Sequence, residues 1–270
     1  MKKKQHLSAT QLDMFSRCPE AYRRRYIEGE IIPPGFAMLR GTGVHRGAET
    51  NFKQKIESHE DLPVDDIVSA AAEGFESAVA GGYTLEVADE GRNVKDVIGE
   101  NLDAVVDMAT CHATEQAPDY QPVTCEQWVR IELPKHSHDL VGIIDLTDDE
   151  NRVVDFKTSG RKKSQSDADH STQLTIYAAA HKRETGEDAS EVRLDTIVKT
   201  KTKTSRDVVS STRGPVDFTA LANRLNVITS AIQAGNFAPA MPGAWWCGSR
   251  WCGYWATCPF VNSEREEMAQ

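Results

Sequence analysis

The chain has 270 residues, enough to bury one large core or a core plus an insertion, and its 39% hydrophobic and 27% charged content is that of a soluble globular protein. With 41 acidic against 31 basic residues, the net charge of −10 argues against a protein that coats nucleic acid non-specifically. No run approaches membrane-span length and the start, MKKKQHLSATQ, lacks the apolar segment of a signal peptide, so a cytoplasmic address with no membrane role is expected.

Ser8 can cap a helix from about Ala9 to Ile27, with a break expected at Cys18-Pro19. A loop with Pro33-Pro34 leads to a helix over Ala37 to Lys55, entered through GTGVHRGAE. Gly41, Gly43 and Gly47 lower helix propensity there, so close approach of a ligand or of another helix must favour them. Residues 50–120 are alanine-rich and read as a helical insertion without a chemical signature; Cys111 and His112 in it read as packing and surface residues. From Val123 the apolar period becomes two, and Val123–Leu133 reads as a strand leading into a hairpin. A helix over Asp169–Glu184 places Gln173 and Tyr177 one turn apart on one face. Two strands follow, Arg193–Thr200 and Arg206–Ser211, and then an amphipathic helix over Val216–Gly235. This order predicts one domain over residues 1–270, an α/β fold with a mixed central sheet flanked by helices.

The hairpin VGIIDLTDDENRVVDFKTS, residues 141–159, is the most informative stretch. Asp155 and Lys157 share one strand face. A three-residue loop, Asp149 to Asn151, puts Asp145 opposite Asp155, whereas a two-residue loop puts it on the other face. Two carboxylates and an ammonium crowded into an apolar strand pair need a partner, and a hard divalent cation is the natural one. An exposed charge pair on an ordinary hairpin is the plainer alternative. Basic residues gather at Lys2–Lys4, Arg23–Arg25, Arg161–Lys163 and Lys199–Arg206, either as solvated faces or as contacts for a phosphate backbone. No GxxxxGK[ST] phosphate loop is present.

The tail WWCGSRWCGYWATCPF, within residues 236–260, sets Cys247, Cys252 and Cys258 among tryptophans. In a reducing compartment disulfides are not expected. Three thiols do not close a tetrahedral site, and Cys18 is the candidate fourth ligand. Zinc and a [4Fe–4S] cluster both suit four thiolates, and reduced structural cysteines are the plainer reading.

Together these motifs resemble the RecB-like branch of the PD-(D/E)XK nucleases, especially stand-alone iron–sulfur exonucleases of the CRISPR-associated and bacteriophage type. The likeness rests on LSATQLDMFSRCPEAYRRRY, on Gly41, Gly43 and His45, on Gly142-Ile143-Ile144-Asp145, on Asp155-Phe156-Lys157, on Gln173 with Tyr177, and on the one-early, three-late cysteines. Residues 50–120 lie outside it. It departs from the family in the four residues, Gly248 to Trp251, that separate the first two late cysteines, where two are usual. The resemblance implies a restriction-endonuclease-like core in which His45, Asp145, Asp155 and the Phe156 carbonyl bind Mg²⁺ or Mn²⁺. Lys157 acts on the attacking water, with Gln173 and Tyr177 beside it, and Glu49 and Glu126 are further carboxylates. Cys18, Cys247, Cys252 and Cys258 are expected to hold a [4Fe–4S] cluster, or Zn²⁺, as a structural staple. The implied activity is a metal-dependent DNA exonuclease on single strands or ends, 5′-to-3′, in recombination, repair or phage DNA processing. Its setting is a bacterial or phage-infected cytoplasm, with recombination or CRISPR-adaptation proteins as partners. A non-catalytic DNA-binding or recombination adaptor is the alternative, and an iron–sulfur electron carrier a third reading.

Overall fold

Period-two stretches become strands because they can set alternate side chains against helices packed on the sheet. In the computed structural model, which describes residues 5–86, 89–134 and 136–261, they form one six-stranded mixed sheet. The strands are β1 (Gln5–Ser8), β2 (Pro122–Ile131), β3 (His138–Asp148), β4 (Arg152–Ser159), β5 (Glu191–Lys199) and β6 (Thr204–Ser211), in the order β1-β3-β4-β5-β6 with β2 paired to β3. Because β2 pairs along β3 from Leu140 to Asp148, β1 and β4 meet β3 on its other side and β2 is an edge strand. The parallel pair β4–β5 requires a crossover, supplied by α6 (Gln165–Asp169) and α7 (Thr172–Thr185). The helix expected over Asp169–Glu184 is α7, which begins at Thr172 because Ser171 caps it by accepting from the Leu174 amide, while the short α6 before it, not expected from the sequence, begins at a capping box formed by Ser164 and Asp167. Strand β1 was not legible in the sequence: its four residues pair in parallel with His138–Val141 and have no turn signal around them.

The chain divides into two compact units. One holds residues 1–9 and 33–224, the other 10–32 and 225–270. In the first unit α3 (Phe36–Ser58), α4 (Val64–Ala80) and α5 (Val94–Cys111) form a helical layer whose core includes Phe36, Leu39, Val44, Phe75 and Met108, packed with Ile197 of β5. Tight helix–helix contact explains Gly43 and Gly47: a Cβ at either would lie 2.8 Å from a backbone carbonyl of α4, of Ala71 and Ile67 respectively. A second core joins Phe52 of α3 and Tyr120 to Leu146, Val154 and Phe156 of the hairpin. His112, expected at the surface, is instead fully buried beside Phe52 and Phe156, its Nδ1 2.6 Å from Gln116 Oε1. It follows α5 directly in a π-helical turn, which rotates it inward.

The second unit joins α1 (Ala9–Arg17, from Thr10 on) and α2 (Pro19–Tyr22) to the end of α8 (Pro215–Gln233) and to the tail. Cys18 caps α2, its sulfur accepting from the Ala21 amide at 3.4 Å, with Pro19 in the first helical position where a missing N–H costs nothing. Buried Arg24 donates to the Tyr254 carbonyl at 3.4 Å and Thr257 Oγ1 at 2.5 Å, and Tyr254 donates to the Glu30 carbonyl at 2.7 Å. Glu20 and Ala238 share a backbone bond of 3.1 Å. The early and late segments are thus pinned by polar contacts rather than by a sheet. Among the described residues no helix is long and apolar enough to cross a membrane.

Candidate metal and catalytic site

Asn151 adopts the left-handed conformation, φ +60°, at the last position of a three-residue loop, a role Asn takes readily. Leu146 therefore pairs with Val154 and Thr147 with Val153, and extending that register puts Asp145 opposite Asp155, as the longer loop requires. Beyond Leu146 and Val154 the ladder stops. The Asp145 carboxylate takes over one of its bonds, Oδ2 accepting from the Phe156 amide at 2.8 Å. The Phe156 carbonyl faces His45 Nε2 at 3.0 Å, while its ring stacks in the core on Phe52. His45 comes from α3, and its Nδ1 lies 3.9 Å from both Asp145 Oδ2 and Glu126 Oε1.

Glu126 is the residue that spacing alone did not single out. Its neighbours Cys125 and Gln127 pair with Leu146 and Ile144, which sets Glu126 level with Asp145 on the edge strand. Its backbone is left-handed, φ +50°, which costs a non-glycine residue about 1 kcal/mol or more. Only the register of β2 against β3 brings it in, and nothing in the sequence marks that register. His45, Glu126 and Asp145 offer donor atoms that all lie within 4.8 Å of one another, and this group could hold a metal ion. Glu49 is not among them; it is ion-paired with Arg46 at 2.9 Å and Lys53 at 2.5 Å.

Asp155 is buried next to this group and is held by Lys157, whose ammonium donates to Oδ1 at 2.9 Å. Oδ2 lies 2.7 Å from the same ammonium yet receives no directed hydrogen bond. Lys157 also donates to Gln173 Oε1 at 3.1 Å, and Gln173 Nε2 donates to the Tyr177 hydroxyl at 2.7 Å. Tyr177 in turn explains Gly142: a Cβ there would come within 2.8 Å of the Tyr177 ring. All of Gly142, Asp145, Asp155, Lys157, Gln173 and Tyr177 thus belong to one connected patch.

Its electrostatics are those of a site short of positive charge. Burial, and then the charge of Asp155, push the Asp145 carboxyl up to about 7. Burial disfavours the His45 imidazolium, but Glu126 and Asp145 outweigh it and leave its pKa raised. Lys157 likewise pays a burial penalty that Asp155 and Asp145 overcome, so its pKa is raised and the ammonium persists. A buried carboxylate oxygen without a directed bond, an acid pushed towards neutrality and a nitrogen/oxygen donor set match what a hard divalent ion would relieve.

Several cations of the basic clusters are held in ion pairs. Arg23 pairs with Glu20 and Glu28, Arg24 with Glu30, Lys162 with Asp207, Lys199 with Asp107, and Arg206 with Asp195 and Asp119. Lys2–Lys4 lies outside the described residues.

In the second unit Cys18, Cys247, Cys252 and Cys258 line one cavity of about 650 Å³, together with Arg24, Tyr254 and other tail residues. Burial raises the Cys252 thiol pKa, and Cys18 and Cys258 raise it further, which marks the three as electrostatic neighbours.

A hairpin that sets two acids opposite each other, a lysine two residues on, and a histidine delivered by a glycine-bearing helix define a nuclease fold. The chain belongs to the PD-(D/E)XK nuclease superfamily, whose model matches residues 6–259. Among solved structures it is similar to a protein of Eubacterium rectale described as a "putative exonuclease", at 13% identity and a TM-score of 0.52 over 96% of this chain and 90% of that one. It also aligns with the structure of SSO0001 at 14% identity over 96% and 88% of the two chains, but a TM-score of 0.39 gives that likeness no weight. No curated protein matches the chain.

Proposed function

We propose that this chain is a divalent-metal-dependent DNA exonuclease of the RecB-like branch, carrying a [4Fe–4S] cluster in its cysteine unit. The observation that carries the reading is the convergence of His45, Glu126 and Asp145 beside the Asp155–Lys157 pair, with the Phe156 carbonyl turned to His45. An adaptor that had lost catalysis would have no reason to keep a buried acid pair against its own repulsion.

His45, Glu126, Asp145, Asp155 and the Phe156 carbonyl are the groups that would hold Mg²⁺ or Mn²⁺. Such an ion supplies Lewis-acid polarisation of the scissile phosphate and acidifies the attacking water. The chain's own residues do the rest. Asp145 keeps the Phe156 peptide in place by accepting its amide, so one carboxylate both offers a donor and orients a second. Lys157, fixed between Asp155 and Gln173, orients the water and offsets the charge that grows on the phosphoryl oxygens. Gln173 and Tyr177 hold that ammonium's position. Water adds to phosphorus, the P–O bond to the leaving sugar oxygen breaks, and that oxygen takes up a proton.

For the cluster, four cysteines on one cavity suit a thiolate-ligated group, and the resemblance favours [4Fe–4S] over zinc. Its role is structural, since it bridges segments far apart in sequence. By resemblance the polarity is 5′-to-3′, the substrates are single strands or ends, and the setting is cytoplasmic recombination, repair or phage DNA processing, with recombination or CRISPR-adaptation proteins as partners. The test is digestion of end-labelled, end-blocked and circular DNA with Mg²⁺, Mn²⁺ or EDTA. Release of nucleotides from free ends only, lost in Asp155→Ala, is expected; binding without any metal-dependent loss of label would favour the adaptor. An anaerobic visible spectrum with iron and zinc assays decides the cofactor.

A further inference from the structure

Among the described residues four large apolar side chains of the sheet are exposed, Val123, Trp128, Ile143 and Val208, and of these Trp128 and Ile143 are cross-strand neighbours. Trp128 of β2 is 59% exposed, and its register partner Ile143 on β3 is 45% exposed. A single exposed apolar residue is unremarkable, whereas a tryptophan and an isoleucine side by side at the edge of a sheet form a patch that needs a reason. Trp128 is two residues from Glu126 and Ile143 two residues from Asp145, so the pair lies about 7 Å along the strands from the metal-ligand group. On α3, the helix that carries His45, Arg46 and Lys53 are both largely exposed and pair with Glu49.

An exposed aromatic surface beside an acid–lysine site, with exposed cations on the helix that supplies its histidine, is what a single nucleic-acid strand requires: a place to stack a base and a place for its backbone. A duplex has no free base face to offer beside its scissile phosphate. We infer that Trp128 and Ile143 form the platform on which a base of an unpaired strand stacks as its backbone enters the carboxylate site. This deepens the nuclease reading and rests on it: the platform makes single-stranded DNA, or a frayed end, the substrate.

Binding is read apart from turnover, by anisotropy of dye-labelled oligo-dT with Mg²⁺ on an Asp155→Asn background. Trp128→Ala is expected to weaken binding about tenfold, Trp128→Phe by no more than about threefold, and neither to shift the melting temperature. An abasic oligomer of the same length should bind weakly and equally to all three. Should Trp128→Ala fail to fold, Ile143→Ser reads the same loss. Unchanged oligo-dT affinity, the result expected if a protein partner covers the patch, overturns the inference. So does an equal loss on abasic and base-bearing strands. A chain that binds oligo-dT through Trp128 but never cleaves DNA keeps the platform and removes the nuclease reading, so the two failures are distinguishable.

Discussion

The two units solve the problem of holding a site in opposite ways. In the first, the carboxylate donors sit on adjacent strands of one sheet and the imidazole on α3, backed by the Phe52–Tyr120–Leu146–Val154–Phe156 core, so packing positions them before any ion arrives. In the second, the four cysteines line a wide cavity, held by a short cap, a few arginine and tyrosine bonds and no sheet. A site built on a packed sheet is expected to outlast loss of its ion, whereas a thiol-lined cavity depends on what fills it.

The sharpest way to break this contrast is to remove what each site is proposed to use. Asp155→Ala should lower cleavage by about 10³-fold or more, and thermal melting separates that loss from the stability cost of leaving Lys157 without its buried partner. A variant that keeps rapid cleavage would remove the site as drawn. Lys157→Ala should cost about 10²–10³-fold in turnover, with a smaller change in DNA affinity, because the ammonium acts where charge develops.

Loss of the proposed cluster should act on the other unit. Cys252→Ser is expected to bleach any visible chromophore and to open residues 236–261 to limited proteolysis, with the sheet's amide-exchange protection retained. If exchange rises throughout the sheet as well, the two units are one cooperative body and the contrast fails.

Titration separates the sites further. Asp145, at about 7 without an ion, must lose its proton to bind one, and His45, also raised, must be neutral. Mg²⁺ or Mn²⁺ affinity should therefore fall about tenfold or more per pH unit below 7 and level off above it, as calorimetry at pH 5.5, 6.5 and 8 would show. In EDTA the sign is reversed for stability. Asp145 is raised from 3.8 to about 7 on folding, so its contribution is full below 3.8 and is lost as pH rises through 7. Melting temperature in EDTA should drop over that window, and divalent metal should restore it at pH 8.

The smallest effect tests how the first site is packed. Gly142→Ala places a methyl against the Tyr177 ring and should cost about 1–3 kcal/mol in stability. Its kcat should fall more than its KM rises, because Tyr177 reaches Lys157 only through Gln173. Equal effects on both would mean that the chain of hydrogen bonds does not position the ammonium.

How much of this could be read from the chain follows from the range of each interaction. Asp145, Asp155 and Lys157 lie on one hairpin, where a period of two and the loop length dictate facing, and the loop residue Asn151 accepts the left-handed turn that keeps them level. Gln173 and Tyr177 are one helical turn apart, so their shared face was equally local. The pairing of β1 with β3, the burial of His112 and the arrival of Glu126 were not local: each depends on which elements pack together. Gly43 and Gly47 show the same limit, since their sequence allowed either a ligand or a helix beside them and the α4 backbone occupies the space. Local backbone geometry is encoded within a few residues and survives in the sequence. Strand register and helix docking are chosen by the burial of surfaces distant along the chain, and only the folded structure records that choice.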